Sequence, residues 1–196
     1  IQCIEAAVTM PFDEGLAFAL TGVYVARANT RFDALSDVAE AVTVFGSART
    51  RQDDPLYLTA RDVASALAGD GWMVVTGAGP GIMQAAAEGA GPDHSLGVSI
   101  RLPFEEKPNA LVAEADRVVA MKYFFTRKLM LVKESRGFVC VPGGFGTLDE
   151  MFELLTLQQT GKADPTPIVL LDRAGGTFWA GLERFVHEHL VASGVI

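Results

Sequence analysis

The residues best suited to chemistry lie in three short stretches rich in small side chains. These are Gly46-Ser47-Ala48-Arg49, Gly77-Ala78-Gly79-Pro80-Gly81-Ile82-Met83 and Pro142-Gly143-Gly144-Phe145-Gly146-Thr147-Leu148-Asp149-Glu150. Glycine tolerates positive φ and lets main-chain N–H groups approach a ligand, and a helix that follows adds unsatisfied donors and the positive end of its dipole. Such turns make a seat for one phosphate-sized anion, with Gly46, Ser47, Gly79 and Gly81 among its contacts. In the third stretch Glu150 falls one turn into the helix, where a carboxylate faces the sugar attached to a held phosphate. Two plainer readings stand beside this one. A strand-to-helix turn asks for glycine on steric grounds alone, and Thr147-Leu148-Asp149-Glu150 fits the S/T-x-x-E capping box, in which Glu150 bonds back to its own helix start.

Other nucleotide chemistries fit poorly. In the second stretch the third glycine comes one residue too early for G-x-G-x-x-G, and the next strand ends at Arg101, where an NAD site places an acidic residue. No G-x-x-x-x-G-K-[ST] occurs. His94 stands alone, and His187 and His189, two apart, fall on different sides of a helix, so no metal site is expected. The net charge of −8 and a pI near 4.8 mean that an anion must be held by local donors, and they disfavour a nucleic acid polymer as partner.

The elements that must carry these turns follow from periodicity. Apolar runs predict strands at Val42–Gly46, Trp72–Gly77, Leu96–Ile100, Arg117–Ala120, Phe138–Pro142 and Ile168–Asp172. Helical patterns predict helices at Pro55–Ala68, Pro80–Gly89, Tyr123–Ser135, Thr147–Thr160 and Thr177–Ala192. The alternation is that of βαβ units, and near-continuous apolar strands point to a doubly wound parallel sheet of Rossmann-like α/β type, buried on both faces. Its ligands then sit at the carboxyl ends of the strands. Residues 1–40 read as a helical extension, and 41–196 as the nucleotide-binding domain, one domain in all. The 196 residues, 49% of them apolar, can fill a substantial core. Of the two cysteines, Cys3 and Cys140, the second lies in an apolar run as a packed thiol. With neither a membrane-length apolar stretch nor a basic signal region, a cytoplasmic location is expected.

The third stretch resembles the P-G-G-x-G-T-x-x-E signature of the LOG ("lonely guy") family of cytokinin riboside 5′-monophosphate phosphoribohydrolases. Val44–Arg49, Gly77–Met83 and the pair Arg127-Lys128 fall in the order that family shows, and the likeness runs from about Val42 to Asp172, roughly two-thirds of the chain. It implies hydrolysis of an N-glycosidic bond in AMP or an N6-modified AMP, with no cofactor. It also implies that Gly143, Gly144, Gly146 and Thr147 hold the 5′-phosphate, and that Glu150 is the key carboxylate with Arg127 as its catalytic partner.

Residue chemistry agrees, because a carboxylate can stabilise an oxocarbenium-like sugar and orient or deprotonate water. Arg127 is permanently charged, so it binds or polarises rather than donating a proton. It lies in a mostly apolar helix and needs a partner. Lys128 is a substrate contact or a cation reaching water. Met121, Tyr123 and Phe124 either line a base pocket or pack in the core, Ser47 and Arg101 can touch ribose or base, and Asn109 follows a proline in a turn. The alternative to catalysis is a nucleotide or phosphorylated-cofactor carrier, which has no use for Glu150 beside the sugar. A pyridoxal-phosphate decarboxylase is rejected, since none of Lys107, Lys122, Lys128, Lys133 and Lys162 sits in a strand-end turn. The resemblance further implies a homodimer or larger homo-oligomer.

Overall fold

The computed structural model describes residues 40–100, 110, 117–121, 123–133 and 135–196. The expected helical extension up to residue 39, together with Arg101 and Asn109, lies outside the described residues. Six strands form one sheet: β1 (Ala41–Phe45), β2 (Met73–Thr76), β3 (Ser95–Ile100), β4 (Val118–Met121), β5 (Gly137–Cys140) and β6 (Ile168–Leu170). Helices α1 (Pro55–Gly69), α2 (Ile82–Ala90), α3 (Phe124–Lys133), α4 (Phe145–Gln159) and α5 (Phe178–Phe185) follow β1, β2, β4, β5 and β6 respectively. Every neighbouring strand pair is parallel, in the order β4-β3-β2-β1-β5-β6. The expected elements are all present, with ends displaced by two residues or fewer, except the last helix. There α5 stops at Phe185 and the chain widens into a π-helical turn, Val186–Val191. Apolar periodicity does not register that change of winding.

The doubly wound architecture follows from the alternation of side chains along each strand. Ala41 and Phe45 of β1, Phe138 and Cys140 of β5, and Val75 of β2 join one apolar cluster with residues of α3, α4 and α5. Val42, Val44, Val74 and Val139 join the other, with Tyr57, Ala60 and Ala64 of α1 and Ile82, Ala85 and Ala86 of α2. Thr43 is the polar member on the first face, and it is satisfied there: its hydroxyl lies 3.1 Å from the Leu131 carbonyl and 2.6 Å from the Ser135 hydroxyl. β6 departs from the expected two-sided burial. As an edge strand with a neighbour only in β5, it leaves Val169 50% and Leu170 40% exposed.

Chain direction reverses its march across the sheet at β1. From β1 the chain steps outward through β2, β3 and β4, then returns to place β5 on the other flank of β1. The carboxyl ends of β1 and β5 therefore border the crevice in which doubly wound sheets bind ligands. The helices that hold this edge have local causes. Asp54 accepts a hydrogen bond from the Leu56 N–H at 2.8 Å and Pro55 opens α1 with the φ a first turn needs. α2 lies close enough to α1 that Gly89 faces the Arg61 carbonyl with no room for a Cβ. The variant Gly89→Ala is expected to cost about 1–3 kcal/mol through overpacking, read as a lower urea midpoint; an unchanged midpoint would show that the two helices part freely.

Candidate active site between β1 and β5

A cavity of about 670 Å³ opens at this crevice. Its wall comes from the β1 turn, from Gly77 after β2, from Met83 and Arg127, and from the start of α4 through Glu150. Three loops are locked together there around the main chain of Ser47. The Ser47 N–H donates to the Pro142 carbonyl at 3.3 Å, and the Ile82 N–H donates to the Ser47 carbonyl at 3.0 Å. Gly81, at φ 66°, lies directly against that carbonyl, and Gly143 lies against both the Ser47 nitrogen and the Thr147 hydroxyl. A side chain at either position would force the loops apart.

Glycines elsewhere in the site serve other purposes. Gly46 abuts Ile82, and Gly79 leaves room for the thioether end of Met83. Gly77 lies beneath the Arg127 guanidinium, so any Cβ there would displace that group. Gly144 and Gly146 differ from all of these, since a Cβ on either would meet nothing within 4 Å and neither has positive φ. Gly146 even sits inside α4, where glycine costs roughly 0.5–1 kcal/mol relative to alanine. Packing does not ask for these two glycines, and both border the cavity. α4 begins with Gly144 as its cap and no side chain bonded to its first turn, so its first amides lack a side-chain acceptor, and this turn lines the cavity.

Helix α4 thus starts two residues earlier than the sequence predicts, and Thr147 is its third residue rather than its cap. The capping-box alternative falls with that register. Instead of folding back, Glu150 reaches α3, where its Oε1 lies 3.3 Å from Arg127 Nη1, each side chain 14% exposed. Arg127 Nε also donates to the Val98 carbonyl of β3 at 2.9 Å. The partner that a basic residue in an apolar helix requires is therefore Glu150. Burial raises the Glu150 pKa above its ordinary value, and the positive charges of Arg127 and then Lys128 offset that only in part. Burial, followed by the nearby Glu150 charge, pushes the enclosed Cys140 thiol up to about 12.

Of the residues expected at substrate, the structure brings Arg127, Glu150, Gly46, Ser47, Gly144, Gly146 and Thr147 to the cavity wall. Gly79, Gly81 and Gly143 serve the fit of loops and side chains behind it. Lys128 is bound to Asp149 and Glu153 of α4, 2.7 Å from each. Burial alone would lower its pKa, but hydrogen bonds to both carboxylates outweigh this and raise it. Met121 is 1% exposed in the α3–α4 core rather than at the opening, while Tyr123 and Phe124 are about half exposed, outside the core. Arg49, Met83, Phe145 and Leu148 also line the cavity and were not singled out as contacts. Arg49 carried a readable signal, a cation inside a glycine turn; Met83 is revealed only by its reach over Gly77 and Gly79.

The arrangement sets an uncapped helix start beside a carboxylate of raised pKa and its guanidinium partner. Among the described residues no group of three or more His, Cys, Asp and Glu could hold a metal ion, and no helix is long and apolar enough to cross a membrane. A family model described as "possible lysine decarboxylase" matches residues 81–196. A cytokinin riboside 5′-monophosphate phosphoribohydrolase of Mycobacterium tuberculosis is 33% identical over 139 residues, covering 68% of this chain and 71% of that one. A probable enzyme of the same name from rice, LOGL5 of Oryza sativa subsp. japonica, is 32% identical over 115 residues, 57% of this chain and 45% of the relative. The chain thus spans under half the length of the rice protein. The X-ray structure of TM1055, a structural genomics target, superposes with a TM-score of 0.50 at 26% identity, over 67% of this chain and 74% of that one.

Because Arg127 opposes the effect of burial on Glu150, removing it has a defined sign. In Arg127→Ala the Glu150 carboxyl is expected to titrate higher than in the parent protein, followed by carbon NMR of labelled glutamate. A carboxyl that titrates unchanged would show that the two groups do not interact.

Proposed function

The chain belongs to the LOG family of cytokinin riboside 5′-monophosphate phosphoribohydrolases, and from that premise we propose that it hydrolyses the N-glycosidic bond of a nucleoside 5′-monophosphate. AMP or an N6-modified AMP yields the free base and ribose 5-phosphate. The observation that carries this reading is the Arg127–Glu150 pair, 3.3 Å apart on the cavity wall beside a helix start that two glycines leave open. In the proposed reaction the phosphate sits at the first-turn amides of α4, at Gly144, Gly146 and Thr147, with the Ser47 hydroxyl beside it. The sugar then lies along the first turns of α4, against Glu150.

The C1′–N bond breaks with its electron pair leaving on the base, and the sugar acquires oxocarbenium character. Glu150 stabilises that charge and takes a proton from the attacking water, whose oxygen bonds to C1′. The base takes its proton from solvent or another donor, because Arg127 does not release one. Arg127 instead keeps Glu150 ionised and aims it. Among the described residues no lysine lines the cavity: Lys128, Lys133 and Lys162 all lie off its wall, which gives a decarboxylase reading no support there.

Incubation with AMP, followed by chromatography for adenine and a ribose 5-phosphate assay, tests the reading. Glu150→Gln is expected to lower kcat by about 10²–10⁴-fold, with the fold intact by circular dichroism. Equal adenine release by wild type and Glu150→Gln would remove Glu150 from the mechanism. AMP that binds without releasing base would leave a carrier.

The pH dependence carries its own sign. Glu150 must be ionised to accept a proton, so kcat/KM is expected to fall on the acid side with a midpoint above the ordinary glutamate value of about 4.3. Arg127→Ala should move that limb to still higher pH. An acid limb at the ordinary value would point to a different base.

A further inference from the structure

We propose that Arg49 is the specificity-determining residue that reads the charge of the 5′-phosphate, selecting a nucleoside monophosphate over the uncharged nucleoside. This rests on the function proposed above.

Three charged side chains line the cavity among the described residues: Arg49, Arg127 and Glu150. The last two neutralise one another at 3.3 Å, and Arg127 spends a further donor on the Val98 carbonyl. Lys128, next to Arg127 in sequence, is bound to Asp149 and Glu153. Arg49 is exposed, and no described residue forms an ion pair or hydrogen bond with its guanidinium. Among the described residues the cavity wall therefore carries one charge without a partner, and it is positive, on a chain whose net charge is −8.

Its placement supports the assignment. The Arg49 N–H donates to the Ser47 hydroxyl at 3.1 Å, which ties residue 49 to the turn whose main chain is locked against Gly81 and Gly143. Arg49 and the first turn of α4 thus line the same cavity, with residue 49 held at its base by the turn. A guanidinium fork matches phosphate oxygens two at a time, and helix amides alone supply only partial charges. The two halves together suit a dianion. An interaction with a phosphate that keeps its charge throughout the reaction acts equally on ground and transition states, so its loss is read in KM rather than kcat.

The experiment compares wild type, Arg49→Gln and Arg49→Lys with AMP and with adenosine, measuring adenine release and, by calorimetry, binding of both compounds. Arg49→Gln is expected to raise KM and Kd for AMP about 10–100-fold, to leave kcat within about 3-fold and to leave adenosine binding unchanged; Arg49→Lys should recover part of the loss. An unchanged KM and Kd for AMP in Arg49→Gln, or an equal loss for AMP and adenosine, would overturn the proposal. Because Arg49 is exposed, a folded variant is expected, verified by its circular dichroism. If the wild type binds AMP but releases no adenine, the hydrolase reading fails while the calorimetric comparison still decides the role of Arg49.

Discussion

One buried guanidinium organises the site. Arg127 bonds the Val98 carbonyl of β3, lies over Gly77 after β2 and faces Glu150 on α4, so a single side chain ties the β2, β3 and α4 elements together. Its charge is spread over a weakly hydrated plane, which makes it the cation best suited to such a setting. Burial raises the Glu150 pKa, and the guanidinium offsets that effect only in part. The same pair that secures α3 to α4 also lies on the cavity wall.

Glycine does two opposite jobs around that pair. At Gly81 and Gly143 it allows loops to touch, drawing three strand ends onto the backbone of one serine. At Gly144 and Gly146 it keeps them from touching anything. Close contact in one place and emptiness in the other both shape the cavity wall, since the first fixes where the main chain runs and the second leaves the start of α4 uncovered. The switch in strand order between β1 and β5 supplies the place, because the helices following β1 and β5 lie on opposite faces of the sheet and leave a gap between their starts.

Much of this was legible in the residue string. The strands are short apolar runs and most of the helices are bounded by glycine or proline, so element type and order could be read directly, as could the three turns, Glu150 and Arg127. What escaped depends on relations between elements. Whether a glycine admits a ligand or a neighbouring loop is decided by what faces it, which is why Gly79, Gly81 and Gly143 resembled Gly144 and Gly146. Lys128 finds its carboxylates on another helix, and no spacing within α3 announces Asp149 and Glu153. Met121 lies on a short strand whose parity puts it in the core only once the sheet is assembled. The exposure of β6 follows from its place at the edge of the strand order, a property of topology and not of its three residues.

The interlock around Ser47 divides the cavity wall into a part that cannot change and a part that can. Residues whose backbones are clasped between loops must be altered together or not at all, because each is the neighbour against which another is shaped. Phe145 stands outside that constraint: 93% exposed at the rim and one residue into α4, it answers to no packing partner in the core. A substitution there would reshape the mouth of the cavity while leaving the clasped backbones as they are.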